Sequence, residues 1–396
     1  MTMAPIRIAL VGLSASSTTS WAADAHLPYL LSARGKQRYI IVALLNSSQQ
    51  AAEAARSTFN LPQEVKTYGN PDALAEDPDV DLVVVSTRVD THFDVIEPSL
   101  KAGKAAYVEW PLAENCERAT ALARELRHGP SYGIVGLQGR VSPVVLKVKE
   151  LLSSHRIGKV LNSDMRAFGN FARRDGLRQG FEYFADRKVG GNPITIAYAH
   201  MIDYVHEVLG EFENFHTRMQ IQRPELLRIK ADGASDETLK TDVPDFVAVH
   251  GKLAQGEGKA ELTDNATLAV TFRSGPSFEG TPAFTWSING EKAEILITSP
   301  SGPYLQAGSY REPVTIQVHE FATDAVEEIS WDWQKWQKEL PVYARIGAEV
   351  YERYAAWWKV GKGKIDEQMR WPTLEDAVVR HAELREMFEQ FDARSR

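Results

Sequence analysis

One cysteine, Cys116, stands in the 396 residues of this chain. An internal disulfide is excluded, and such sparing cysteine use fits a reducing compartment. No uninterrupted apolar run is long enough to cross a bilayer. The N-terminus also lacks a signal-peptide pattern, because the first apolar run reads as a strand. No Lys/Arg run appears, and a net charge of −8 argues against a nucleic-acid surface. His, Cys and carboxylate residues never cluster at ligand spacing, so no metal is implied. Internal repeats and low-complexity segments are missing too. The remaining class is an acidic globular protein, expected in the cytoplasm or nucleus. Its apolar share of 43% and charged share of 25% are ordinary for that class, and its length points to two domains.

What is present begins at residues 6–31. Ile6, Ile8, Leu10 and Val11 form a short β-branched run of the kind buried on both faces of a sheet. It stops at Gly12. A Ser/Thr-rich stretch (Ser14, Ser16, Ser17, Thr18, Thr19, Ser20) leads to a helix-like segment opening near Trp21. Strand, Gly turn and helix begin a dinucleotide-binding βαβ unit, with a pyrophosphate resting on backbone N–H groups at the helix N-terminus. Only Gly12 of the usual three glycines is there, so an ordinary βα turn capped by Ser20 fits this stretch equally well.

The alternation then repeats. Strands are expected at Tyr39 to Leu45, Val80 to Ser86, Ala105 to Glu109 and Tyr132 to Leu137. Helices are expected at Gln50 to Phe59, Asp94 to Ala102 and Cys116 to Arg127. This order implies a doubly wound parallel sheet of Rossmann type, with ligands beyond the carboxyl ends of its strands. Those ends carry Gly12, Asn46, Ser86 to Arg88, Glu109 to Pro111 and Gln138, and their convergence favours a dinucleotide. Where an acidic residue would bond the adenosine 2′-hydroxyl of NAD, this chain places Asn46, Ser47 and Ser48. A neutral cluster does not repel a 2′-phosphate, and no Arg beside it clamps one. The balance leans to NADP, with dual use and a plain turn as alternatives.

Past a helix at Pro143 to Ser153 the pattern changes. Strand-type alternation recurs from Lys159 to Ala167, Glu213 to Gln222, Phe246 to Leu253, Ala260 to Phe272, Ala283 to Asn289, Ala293 to Thr298 and Val314 to Phe321. Short Gly turns between several of them predict an open, mostly antiparallel sheet with helices on one face, an α+β half following an α/β half. A homodimer through the uncovered face is expected. Residues 224–242 are polar and aperiodic, and read as a mobile surface loop. Helices at Val342 to Lys359 and Thr373 to Phe391 close the chain, the second with Thr373 and Asp376 placed almost as a capping box. The expected divisions are a dinucleotide domain at 1–142, a substrate and dimerisation domain at 143–370, and a helix at 371–396 packing back on the body.

These parts and several motifs together resemble the Gfo/Idh/MocA family of NAD(P)-dependent oxidoreductases, in the branch of the fungal galactose-pathway repressor. The carrying residues are Glu109-Trp110-Pro111, residues 135–143, Gly190-Gly191 through His200 and Asp203, and residues 371–377. Trp21, the stretch 108–113, the stretch 137–143 and Val243-Pro244-Asp245 carry the branch. The resemblance implies that Glu109 contacts the nicotinamide ribose, and that a Lys, an Asp and a His act on the substrate hydroxyl. Here the Lys position is Trp110 and the Asp position is Ile196, neither able to exchange a proton. Only His200 remains, with Asp203 about one helical turn on.

The cofactor candidates are Gly12, Ser14, Ser20, Trp21, Asn46, Ser47, Ser86, Thr87, Arg88, His92, Glu109, Trp110 and Gln138. Arg88 and His92 match a family loop covering the cofactor; a surface charge is the plain alternative for Arg88. Trp110 is a packing aromatic, a ring stacked on cofactor or substrate, or a mark of lost catalysis. His200 is the candidate acid–base residue, with Tyr198 in reserve and a structural helical His as the alternative. Arg140 is expected in a structural ion pair. The bulky set Trp21, Trp110, Phe184 and Tyr198 offers few partners for a polyol, which points to a less polar carbonyl, alkene or imine substrate. Two functions compete. One is NAD(P)-dependent hydride transfer on a small metabolite; the other is an NAD(P)-binding regulator that docks a transcription factor without turnover. Redox-neutral chemistry on bound nucleotide is a third.

Overall fold

The structure is a computed structural model describing residues 4–394 apart from 15, 18–19, 127–132, 170–172 and 364. Thr18, Thr19, Arg127 and Tyr132, invoked above, lie outside the described residues. In chain order the strands and helices begin with β1 (Ile6–Val11), α1 (Leu27–Leu31), β2 (Tyr39–Leu45), α2 (Gln49–Thr58), β3 (Lys66–Tyr68) and α3 (Pro71–Ala75). There follow β4 (Leu82–Val85), α4 (His92–Lys101), β5 (Ala105–Val108), α5 (Cys116–Leu126), β6 (Ile134–Val135) and α6 (Pro143–Ser153). Next come β7 (Val160–Gly169), β8 (Gly176–Arg178), α7 (Ala199–Leu209), β9 (Phe212–Gln220), β10 (Glu225–Ile229) and β11 (Ser235–Lys240). The chain continues through β12 (Phe246–Leu253), β13 (Leu262–Ser274), β14 (Phe284–Gly290), β15 (Ala293–Ser299), β16 (Thr315–Glu320) and β17 (Ala325–Glu328). It ends with α8 (Lys335–Lys338), α9 (Val342–Lys359) and α10 (Leu374–Arg394).

Two compact units result. One comprises residues 1–138 and 334–382, the other residues 139–333 and 383–396. The first holds a six-stranded sheet in the order β3-β2-β1-β4-β5-β6, parallel throughout. The apolar run that opens the chain forms its centre, with Ile8 and Leu10 at 0% and 1% exposure. Each such side chain taken from water contributes about 1.5–3 kcal/mol. The chain leaves β1 to pair with β2 on one side and later returns as β4 on the other. The carboxyl ends of β1 and β4 therefore flank the switch point where such sheets hold ligands. The first helical segment begins as a π-turn over Ala22–His26 and runs directly into α1, and α9 packs against it.

The second unit is built on an eight-stranded sheet in the order β17-β16-β15-β14-β7-β13-β12-β9, in which only β7 and β13 run parallel. All eleven residues of α7 are buried. Tyr204 of that helix meets Phe284 and Trp286 of β14, so α7 covers the inner face of the sheet. The long helices predicted at the chain end are present, and α10 opens with the Thr373–Asp376 reciprocal cap: Thr373 N donates to Asp376 Oδ2 at 2.8 Å.

Residues 224–242 correct the sequence expectation. They form the β10–β11 hairpin, and β10 pairs in parallel with β8 in a separate three-stranded sheet. Leu226 and Leu239 pack on Leu177, Phe184 and Ala185, and Arg228 forks onto Asp236 at 2.9 Å through each nitrogen. The apolar partners lie some 50 residues upstream in the chain, at about 177–185, which local periodicity does not register.

Candidate nucleotide site

The strand ends of the first unit are shaped by Gly12. Its φ of +88° suits glycine, and a Cβ there would overlap the Ser86 carbonyl and lie 2.7 Å from the Thr87 methyl. Turns after β1 and β4 thus approach each other backbone to backbone. Ser14 Oγ accepts from the amides of Ser16 and Ser17 at 3.2 and 3.1 Å, and the Ser14 amide donates to Ser20 Oγ at 3.4 Å, closing the loop that leads to Trp21. The Ser20 carbonyl accepts from Ala23 and Asp24, the first bonds of the helical segment. Trp21 is half-buried and meets the Tyr343 ring edge-on at 5.8 Å.

Two side-chain amides at these ends present acceptors. Asn46 donates through Nδ2 to the Leu13 carbonyl at 2.8 Å, which orients its amide, and its Oδ1 is buried without a hydrogen-bond partner among the described residues. Gln138, 3% exposed after β6, likewise has a buried Oε1 with no partner among the described residues. Unfilled buried acceptors cost free energy unless a ligand donor meets them. With Gly12 clearing the backbone, this set fits a dinucleotide laid across the switch point. Ser47 is exposed, and the neighbouring Ser48 caps α2 by accepting from Ala51 N at 3.1 Å. Ser86 and Thr87 are half-buried, and Thr87 Oγ1 lies 2.8 Å from Thr91 Oγ1.

Other candidates are held by protein groups. Both ring nitrogens of His92 face carbonyls, Nδ1 at 2.9 Å from Pro111 O and Nε2 at 3.0 Å from Thr87 O. Burial lowers its pKa despite those contacts, and the ring ties the turn after β4 to the turn after β5. Arg88 is exposed and forks onto Asp90 at 2.6 Å through each nitrogen. Trp110 is 5% exposed, with its ring 4.6 Å from His381 of α10. Burial pushes the His381 imidazole down to about 3, so it is neutral at pH 7. Glu109 reaches His26 Nε2 at 2.9 Å, and a Cβ on Gly136 would overlap its Oε2. His26, Gly136 and His381 were not singled out from sequence, because one glycine or one helical histidine carries no local signal.

In the second unit, residues 194–198 form a π-turn that continues into α7. Ile196 packs with the apolar cluster of Leu177, Phe184 and Ala185. Tyr198 is fully buried with its ring edge toward Phe272, 6.1 Å away. His200 lies on the first turn of α7 at 7% exposure. One turn on, Asp203 is clamped by the fork of Arg140, with Nε at 2.8 Å and Nη2 at 2.7 Å, the ion pair expected for Arg140. Glu207 receives Arg140 Nη1 at 3.3 Å and Lys259 Nζ at 2.7 Å, and also pairs with Lys149. Burial alone would raise the Glu207 pKa. Arg140, Lys259 and Lys149 outweigh it and pull the carboxyl down to about 2. Asp203 and Glu207 thus serve as anchors of α7. Among the described residues, one His/carboxylate group has donor atoms within reach of a common ion: His206, Glu211 and Glu383.

Residues 6–129 match the oxidoreductase family with NAD-binding Rossmann fold, and residues 143–299 match the C-terminal domain of Gal80p. Dehydrogenase aclE of Aspergillus oryzae is 32% identical over 379 residues, covering 95% of this chain and 93% of that protein. The chain belongs to the Gfo/Idh/MocA oxidoreductase family. Within that family the GAL80 galactose/lactose regulatory protein of Kluyveromyces lactis is 26% identical over 308 residues, covering 75% of this chain and 65% of that protein. A super-repressor mutant of Gal80p from Saccharomyces cerevisiae shares the fold, with a TM-score of 0.83 at 21% identity over 98% of this chain and 96% of that one. Membership of the family supports a nicotinamide cofactor. No helix among the described residues is long and apolar enough to cross a membrane.

Proposed function

We propose that this family member is an NAD(P)-dependent oxidoreductase with an atypical acid–base set centred on His200. The observation that carries the reading is the pair of unfilled buried acceptors, Asn46 Oδ1 and Gln138 Oε1, at the strand ends around Gly12. The full-length likeness to a dehydrogenase supports turnover. A bound nicotinamide supplies or accepts the hydride. His200 would then give or take the matching proton at the substrate's oxygen or nitrogen, since imidazole titrates near about 6.5. Asp203 is spent on Arg140 and does not share that role. Glu109 would hold the nicotinamide ribose, and Trp110, braced by His381, would wall the ring.

Asn46 Oδ1 is an acceptor fixed by its own Nδ2 bond, so it suits a ribose 2′-hydroxyl donor. That favours NAD over the NADP toward which the sequence leaned. The apolar surroundings of Ile196 and Phe184 support a small, weakly polar carbonyl, alkene or imine substrate. A second copy of the chain would cover the outer sheet face, where Ala248, Thr271, Arg166, Thr285 and Thr298 align across five strands.

A second reading is a nucleotide-binding regulator with a transcription-factor partner. It is favoured by Trp110 and Ile196 standing where the family's proton-transferring residues belong, and by the likeness to Gal80. Oxidation of NADH or NADPH with a panel of carbonyl and imine compounds separates the two. For the enzyme, His200→Ala lowers kcat by about 100-fold or more with nucleotide affinity kept. Unchanged turnover in that variant would remove His200 from the mechanism. Nucleotide-dependent capture of a transcription factor, with no turnover, would establish the regulator.

A further inference from the structure

Five buried rings of the first unit pack on one another without a part in the proposed reaction: His26, Tyr29, Tyr39, Tyr107 and Tyr351, each at 1% exposure or less, with His26 against the Glu109 carboxylate. They form an ordered set. Tyr351 Oη lies 2.8 Å from His26 Nδ1, and His26 Nε2 lies 2.9 Å from Glu109 Oε1. Tyr351 belongs to α9, His26 to the π-turn that follows the β1 loop, and Glu109 to the end of β5. Three elements distant in sequence are thus joined through side chains at one strand end.

The protons along this line follow from chemistry. Burial, then Glu109 and Tyr29, hold the Tyr351 phenol well above its usual value, so it keeps its proton and is able to donate to Nδ1. A phenol donating to Nδ1 assigns the remaining imidazole proton to Nε2, facing the carboxylate. The ring has little freedom to turn otherwise. Tyr107 stands edge-on at 5.1 Å and Tyr351 at 5.8 Å. Tyr351 is itself fixed by a Tyr29 ring stacked at 5.5 Å and by Tyr39 Oη donating to its carbonyl at 2.7 Å. One carboxylate oxygen of Glu109 thereby lies at ion-pair distance from His26 Nε2, without an aligned hydrogen bond among the described residues. The other, Oε2, sits over Gly136, where any side chain would displace it.

We propose that His26 is a positioning residue for the nicotinamide half of the nucleotide, holding Glu109 Oε1 so that Oε2 accepts a hydroxyl of the nicotinamide ribose. This rests on reading the strand ends as a nucleotide site. It adds a recognition element that the Glu-Trp-Pro motif does not contain, contributed by the same helical segment that closes the β1 loop.

The test compares two ligands on the full chain: NADH, which carries the nicotinamide ribose, and ADP, which does not. His26→Phe keeps the ring volume among Tyr107 and Tyr351 but has no N–H. It should weaken NADH by roughly 10- to 100-fold, the range of one close polar contact to a charged group, while ADP changes less than about twofold. His26→Gln, whose amide N–H reaches the Nε2 position, should recover most of the loss. Tyr351→Phe, which removes a single oxygen, should give a smaller loss with the same NADH selectivity. Equal weakening of ADP and NADH would reduce His26 to a structural residue and overturn the proposal, as would unchanged NADH affinity in His26→Phe. If the unaltered chain binds neither ligand, the nucleotide reading falls and the proposal with it.

Discussion

Replacing Glu207 by Gln tests how α7 is anchored beneath His200. The carboxylate lies on α7 at 8% exposure, paired with Arg140, Lys149 and Lys259. Its pKa falls from 4.5 to about 2 in the folded chain. At about 1.36 kcal/mol per pK unit, that shift corresponds to about 3 kcal/mol of stability. The sign follows from proton counting. Between about 2 and 4.5 the unfolded chain binds the proton and the folded chain refuses it, so stability is complete above 4.5 and drains away as pH falls through the folded value. Glu207→Gln should therefore lower unfolding free energy by about 3 kcal/mol at pH 7, with the gap to wild type shrinking to about 1 kcal/mol at pH 3. Urea unfolding followed by far-ultraviolet circular dichroism reads both numbers. A gap that does not change with pH would refute the electrostatic origin of the anchor. A gap under about 0.5 kcal/mol at pH 7 would show that the three cations are as well placed without it.

His381→Phe keeps an aromatic against Trp110 and removes an imidazole whose burial holds it down to about 3. In the parent, the unfolded chain takes this proton from about 6.5 downward while the folded chain does not, so stability is lost on acidification; the variant should flatten that limb in a pH series of thermal melts. An unaltered limb would mean His381 is not neutral in the fold. Asn46→Asp places a carboxylate at the expected adenosine ribose and should weaken NADP by tenfold or more while leaving NAD within a few-fold, read by parallel titrations. Equal effects on both would remove Asn46 from the ribose contact.

The parallel half was legible because its central strands are largely buried and read as apolar runs: β4 and β5 are buried throughout, and β2 at Tyr39–Leu45 stands where the run predicts it. So were α6 and α9, whose bounds follow their helical periodicity. β3 escaped because three residues carry no period, and β17 because all four of its residues are exposed. The β10–β11 hairpin escaped because its apolar partners are remote in the chain. At the candidate site, the strand ends were legible through topology, which fixes where each strand must stop. The partners of those residues were not. Nothing near His26 announces that Tyr351, 325 residues away, will fix its tautomer. Nothing near Asp203 announces the fork of Arg140, 63 residues before it. Local pattern records which side chains are buried, while hydrogen-bond pairing is set by tertiary packing.

The claim on which the functional reading stands is that the strand ends around Gly12 take a nicotinamide dinucleotide. Equilibrium titration with NADH and NADPH, on the parent chain and on Gly12→Ala, measures it most directly. The added methyl would overlap the Ser86 carbonyl at a backbone φ of +88°. Saturable binding of one nucleotide per chain, weakened about 100-fold or more in a Gly12→Ala protein that still melts cooperatively, is the predicted result. Failure of the parent chain to bind either nucleotide, or equal affinity in the folded variant, would contradict it.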